Sequence, residues 1–116
     1  MISLPITGNS RIPSAANSTN PTIAKAAPGY LQMITGLNAA AAVGYIKFYD
    51  KATAPVPGTD VPVMTVALPA TTAFSILVGG LAFVNGISYG LTVLAADNDA
   101  TAVTAADILG LNVMYS

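Results

Sequence analysis

Asp97 and Asp99 form the only close pair of carboxylates in the sequence, and such a pair could open a calcium-binding loop. That loop usually reads D-x-[DN]-x-[DN]-G and ends in a glutamate at its twelfth position. Here the fifth, sixth and twelfth positions are Thr101, Ala102 and Ile108, so the pattern fails at all three. Because Asp commonly caps turns by accepting backbone N–H bonds, we expect a polar turn. A weakly held ion shared with a neighbouring subunit is the open alternative.

A second short motif, GISYG at residues 86–90, matches the G-x-S-x-G pattern of hydrolase nucleophiles. The sequence contains no histidine to activate Ser88, so the match is accidental. Without His and Cys, the usual ligands of zinc, copper, haem and iron–sulfur clusters are missing. The few basic side chains are scattered and form no phosphate-binding patch. We expect no enzymatic activity, no cofactor, no metal site and no nucleic-acid partner; the basic residues are Arg11, Lys25, Lys47 and Lys51.

The composition indicates that something other than water covers part of the surface. Of the 116 residues, 53% are apolar and 8% are charged, with a net charge of −1. Free soluble proteins normally carry more charge. No residue between Asp60 and Asp97 is charged, so either lipid or protein must cover that tract. A membrane-spanning helix is the alternative to strands, since glycine is tolerated in such helices.

The residue pattern of the neutral tract favours strands. Asn85-Gly86 is a strong signal for a two-residue hairpin turn. After it, large and small residues alternate with a period of two, as in a half-buried strand. We predict strands at 72–78, 81–84 and 87–95, with a hairpin at Asn85-Gly86.

Four further strands are predicted: one at 61–68, at the start of the neutral tract, and three outside it at 30–37, 43–50 and 110–116. Prolines and glycines mark the turns between them. The predicted fold is all-β: a single antiparallel β-sandwich of about seven or eight short strands, with a jelly roll as one arrangement. In the strand at 43–50, Ile46 and Phe48 should share one face, with Tyr45, Lys47 and Tyr49 on the other.

Residues 1–28 differ from the rest in composition, and we predict the sandwich domain over 29–116. Prolines recur in this first segment among Ser, Asn, Thr and Ala, which favours an extended chain. It is either a disordered tail or an arm that orders against a neighbouring subunit.

Two blocks resemble a family of small β-proteins found among the virion genes of tailed bacteriophages. They are YIKFYDKATAPVPGTDVPVMTVALP (45–69) and GLAFVNGISYGLTVLAADNDATAV (80–103). The resemblance covers about residues 29–116. It implies a small β-domain used as capsid decoration, tail-tube addition or fibre part, and it brings no catalytic residues.

The resemblance and the composition together predict a non-enzymatic virion protein, first of all a capsid cement (decoration) protein on the outer shell. Its partners would be major capsid protein subunits and one or two further copies of itself, with no nucleic acid or membrane partner. The predicted contact residues are those of the arm and of one strand face: Ile2, Leu4, Ile6, Ile12, Tyr45 and Tyr49.

Two other functions stay open. One is a tail- or head-fibre module that binds a host glycan or receptor through Tyr30, Tyr89 and the loop at 97–101. The other is a small membrane protein such as a lysis factor.

Overall fold

The computed structural model describes residues 5–15 and 17–116. These residues form eight β-strands and no helix, so the all-β prediction is confirmed. The strands are β1 (Gly8–Ile12), β2 (Thr22–Lys25), β3 (Gly29–Asn38), β4 (Gly44–Asp50), β5 (Met64–Leu68), β6 (Thr72–Phe83), β7 (Ile87–Thr92) and β8 (Ile108–Tyr115).

The strands described here make two antiparallel four-stranded sheets that pack face to face. Sheet I has the order β1-β8-β3-β6, and sheet II has the order β2-β7-β4-β5. Consecutive strands alternate between the sheets, except that β4 and β5 are neighbours in sheet II. This arrangement is an eight-stranded jelly roll, one of the antiparallel double-sheet architectures. The predicted sandwich is therefore confirmed.

The core lies between the sheets and consists of side chains from alternate strand positions. Phe48 and Tyr89 are fully buried there, with their ring centroids 5.9 Å apart. The Tyr89 hydroxyl lies 2.9 Å from Ser10 Oγ, so it links sheet II to sheet I across the core. Burial raises the pKa of Tyr89. A buried phenol needs such a polar partner, and here β1 supplies it.

The neutral tract contains β5, β6 and β7, and β6 and β7 belong to different sheets. The predicted hairpin at Asn85-Gly86 is therefore wrong, because residues 84–86 cross from sheet I to sheet II. The two strands predicted at 72–78 and 81–84 are one strand, with a bulge where Gly79 and Gly80 adopt φ of 83° and 103°. Within the described residues, no helix is long and apolar enough to cross a membrane.

Asp50, at the end of β4, holds this crossing connection in place. Its carboxylate accepts the backbone N–H groups of Val84, Asn85 and Gly86 at 3.1, 2.8 and 3.3 Å. The hydrogen bond from Asn85 is the largest cause that lowers the pKa of Asp50, opposed in part by desolvation. Gly86 is required for close packing, since a Cβ there would lie 2.7 Å from the Lys51 carbonyl oxygen. The predicted two-residue turn would need a positive φ at Gly86, but the φ of Gly86 is not positive.

The segment predicted as an extended arm contributes one edge strand to each sheet. β1 pairs with β8, and β2 pairs with β7. Between them, Ser14 bonds to the backbone at both Thr104 and Ile108. The described part of this segment therefore lies against its own chain, and its role as an arm stays a prediction. The domain boundary at residue 28 stays a prediction.

Candidate interaction surface

The outer face of sheet II is covered by two loops, at 51–63 and 93–101. Lys47 lies on this face and is 0% exposed. Its ammonium donates to the carbonyl oxygens of Ala96 at 2.6 Å and Asp99 at 3.2 Å, both in the second loop. The two loops meet where Gly58 approaches Ala100. Desolvation lowers the pKa of Lys47, while the charges of Asp99 and Asp97 oppose that shift.

Asp99 closes the second loop on itself. Its carboxylate accepts the backbone N–H groups of Leu94 and Thr101 at 3.1 and 3.3 Å, and the Thr101 hydroxyl at 2.7 Å. Burial opposes ionisation of Asp99, but these hydrogen bonds outweigh it and lower the pKa. Both carboxylate oxygens therefore have partners within the loop, as the predicted polar turn requires. Among the described residues, no group of three or more acidic, His or Cys side chains could hold a metal ion.

Tyr49 was expected on the surface, and that expectation is wrong: its side chain is 1% exposed. The predicted alternation is correct, because Ile46 and Phe48 belong to the core between the sheets, whereas Tyr45, Lys47 and Tyr49 do not. The loops then cover this face, which alternation cannot show.

The buried Tyr49 hydroxyl has no hydrogen-bond partner within residues 5–15 and 17–116. Desolvation raises the pKa of Tyr49, and the charges of Asp60 and Asp97 raise it further. A buried hydroxyl without a partner reduces stability. Tyr49 therefore lies inside the loop-covered layer, where it is not accessible to another protein.

Sheet I has an outer face on which no described loop or strand is stacked, and we call it the open face. The strand registers place its side chains in three rows that run across the sheet. The middle row is polar, and within it Asn112 donates a hydrogen bond to Thr35 at 3.3 Å. Asn9 of the neighbouring row donates to Asn112 at 3.0 Å. The rows are Asn9-Met114-Met33-Leu77, Arg11-Asn112-Thr35-Ser75 and Leu109-Leu37-Ala73.

The open face is nearly neutral, and a largely apolar row lies on each side of its polar middle row. Leu77 is 78% exposed, and Leu37 and Leu109 are 38% and 37% exposed. Among the residues of these three rows, Arg11 carries the only charge, and it lies on the edge strand β1. A surface of this kind differs from a typical water-facing sheet, where polar residues occupy the outer positions. The open face is the main candidate interaction surface of the chain.

The predicted contact residues that the structure describes do not come together on one surface. Ile6 is 51% exposed, whereas Ile12 packs against the core from β1. Tyr45 is half-buried on the outer side of sheet II. Ile2 and Leu4 lie outside the described residues. A role of these side chains in a protein interface stays a prediction.

The residues proposed for glycan binding are also separated. Tyr89 is buried in the core, as described above. Tyr30 is exposed at the start of β3, beside the end of β6. The loop at 97–101 lies over the outer face of sheet II, where the Asp99 carbonyl oxygen accepts from Lys47. The structure therefore does not assemble these three features into one pocket.

Sequence reasoning did not identify the open face, although one signal for it exists. In β6 the outward positions hold Ala73, Ser75 and Leu77. The outward face of this alternating strand therefore lacks the charged residues that a water-facing strand normally carries. Its partners on β3 and β8 follow only from the sheet order, which the sequence does not give.

No protein-family model matches this sequence, and no curated protein matches it either. Among solved structures, the coat protein of Tobacco streak virus is similar to this chain, with a TM-score of 0.38 and 13% sequence identity. The alignment covers 100% of this chain and 90% of that chain. Values this low describe a loose likeness of shape, and nothing about function follows from them.

Proposed function

We propose that this chain is a structural protein of a tailed-phage virion, and that it acts as a capsid cement protein. In this role it binds the outer shell at junctions between major capsid protein subunits, and it self-associates in twos or threes. The observation that carries the proposal is the open face of sheet I. A wide, nearly neutral sheet face that its own chain leaves bare is suited to burial against another protein.

The physical mechanism is burial of apolar area at many equivalent positions. Complete burial of a fully exposed leucine contributes about 1.5–3 kcal/mol. Leu77 is 78% exposed and offers most of that amount, whereas Leu37 and Leu109 are 38% and 37% exposed and offer about a third of it each. Symmetry repeats the contact over the shell, so weak individual contacts add up to high avidity. Opening one capsid joint would then break contacts to several subunits.

Two further observations support this proposal. The jelly-roll strand order occurs in viral capsid proteins, although lectins and cupins share it, so this support is by analogy of fold. The sequence blocks at 45–69 and 80–103 resemble virion proteins of tailed phages. The low charge of the chain agrees with a surface that is partly covered after assembly.

The experiment uses phage particles assembled without this chain, to which purified protein is added before sedimentation. The wild-type chain should bind in hundreds of copies per particle and raise the temperature at which the shell opens. Leu109→Lys places a charge on the open face and should reduce occupancy by about tenfold or more, because a buried unpaired charge is costly. Val61→Lys is the matched control, since Val61 is 74% exposed in the loop at 51–63.

Two outcomes would contradict the proposal. If wild-type protein did not bind the shell, or bound in a few copies at the tail, the cement function would be wrong. If Leu109→Lys bound as well as Val61→Lys, the open face would not be the contact. A chain lacking residues 1–6 tests the arm separately: it removes Ile2, Leu4 and Ile6 but leaves β1 intact, and it should bind less tightly.

A further inference from the structure

Strand β6 is an unusual edge strand. Among the described strands, β1, β2, β5 and β6 form the edges of the two sheets. The first two are short and carry Arg11 and Lys25, and β5 is short and lies between Pro62 and Pro69. These are the usual protections of a sheet edge. β6 is 12 residues long and contains neither a charge nor a proline.

The part of β6 that is free to pair again is residues 72–77. Over this stretch β6 pairs with β3 without irregularity, and the bulge at Gly79 and Gly80 comes after it. One side of an edge strand leaves its N–H and C=O groups without strand partners. Six residues give an edge about 20 Å long, which matches a strand of ordinary length. Leu77, the most exposed leucine of the chain described, stands at its end.

The charge pattern identifies the partner as a second copy of this chain. When a strand pairs with its own copy about a two-fold axis, the residue on the axis lies opposite its own counterpart, and the residues on either side of it lie opposite each other. Like charges directly opposite each other are destabilising, so a self-pairing strand must be neutral. β6 fulfils this condition. Arg11 lies three strands away on the far edge of sheet I, about 14 Å from β6.

From this we infer that two copies of the chain pair antiparallel through residues 73–77 of β6, about a two-fold axis at Ser75. The pairing joins the two copies of sheet I into one eight-stranded sheet. The open faces of both copies then lie on the same side and form one continuous surface. Ser75 faces Ser75 of the second copy, and Leu77 lies opposite its Ala73.

This dimer would supply the self-association in the proposed function, and it doubles the surface offered to a capsid. The inference itself rests on the β6 edge, and its test needs no capsid. Leu109→Lys separates the two proposals, because Leu109 is on the open face but two strands from the β6 edge. That variant should lose capsid binding and keep the dimer.

The first measurement is the mass of the purified full-length chain by sedimentation equilibrium. The wild-type chain should have twice the monomer mass of 11.6 kDa. Ser75→Lys puts two like charges together at the two-fold axis and should weaken dimerisation by about tenfold or more. Ser75 is exposed, so the fold should tolerate the change, which circular dichroism verifies. Leu109→Lys should dimerise as the wild type does.

The second measurement is disulfide cross-linking, which the absence of cysteine makes simple. Opposite residues of an antiparallel pair are close enough for a disulfide bond. Ser75→Cys should therefore form a cross-linked dimer on mild oxidation, and Leu109→Cys should not.

Three outcomes would overturn the inference. The first is a wild-type chain that stays monomeric up to about 100 µM. The second is equal weakening of the dimer by Ser75→Lys and Leu109→Lys, which would indicate stacking of open faces. The third is cross-linking of Leu109→Cys but not of Ser75→Cys.

Discussion

Replacing Asp50 should destabilise the fold by releasing the connection between the sheets. Its carboxylate accepts three consecutive backbone N–H groups at 2.8–3.3 Å, and these groups lose their acceptor in Asp50→Ala. A hydrogen bond to a charged group contributes about 1.5–3 kcal/mol when buried. Because this site is partly exposed, water compensates for part of the loss. We expect a decrease of about 2 kcal/mol in the free energy of unfolding.

The assay is urea unfolding at pH 7, followed by circular dichroism. Asp50→Asn keeps one acceptor oxygen and should lose about half as much, near 1 kcal/mol. Asp97→Asn is the matched control: Asp97 is exposed in the loop at 93–101, so its change should stay within about 0.5 kcal/mol. An Asp50→Ala variant as stable as Asp97→Asn would refute the role of Asp50 in holding residues 84–86.

Three further predictions concern the same packing. Gly86→Ala should destabilise by about 2 kcal/mol or more, because its Cβ would meet backbone atoms of Lys51, Ala52 and Lys25 at 2.7–2.8 Å. Gly44→Ala, whose Cβ would have no neighbour closer than 3.8 Å, is the control in the same urea assay. Acid should destabilise the protein as the pH falls through and below 3.8. The folded-state pKa values of Asp50, Asp60 and Asp99 are lowered, so these carboxylates stabilise the fold only when they are ionised. An unchanged urea midpoint between pH 5 and pH 2.5 would contradict this prediction. The pKa of Lys47 is lowered, so below 10.5 the folded state binds fewer protons than the unfolded state. The wild type should therefore gain stability relative to Lys47→Met from pH 7 to pH 10. A difference in the free energy of unfolding that stays constant over this range would show that Lys47 is not desolvated.

The sequence predicted the strands well where alternation and turn residues agree. The strands predicted at 30–37 and 43–50 correspond to β3 and β4 within one residue at each end. The predicted total of seven or eight strands agrees with the eight described, but the individual strands differ from those predicted. Two predicted strands merge into β6, and β1 and β2 come from the segment predicted as an arm.

The errors have physical causes that lie outside the local sequence. Asn85-Gly86 has the residues of a hairpin turn, but the carboxylate of Asp50 holds it as a connection between sheets. Tyr49 alternates as an outward residue, but distant loops cover it. The four strands that build the open face are far apart in the chain. Local patterns therefore predict the strands and their faces, whereas sheet order decides which faces meet water.

The proposed function requires that the open face of sheet I binds a phage capsid. The most direct test is an electron cryomicroscopy map of the virions to which this chain is proposed to belong. We predict density for the eight-stranded sandwich on the outer shell, at junctions between major capsid protein subunits, with Leu37 and Leu109 buried in the contact. A shell that lacks this density, or a bound sandwich whose open face points to solvent, would contradict the claim.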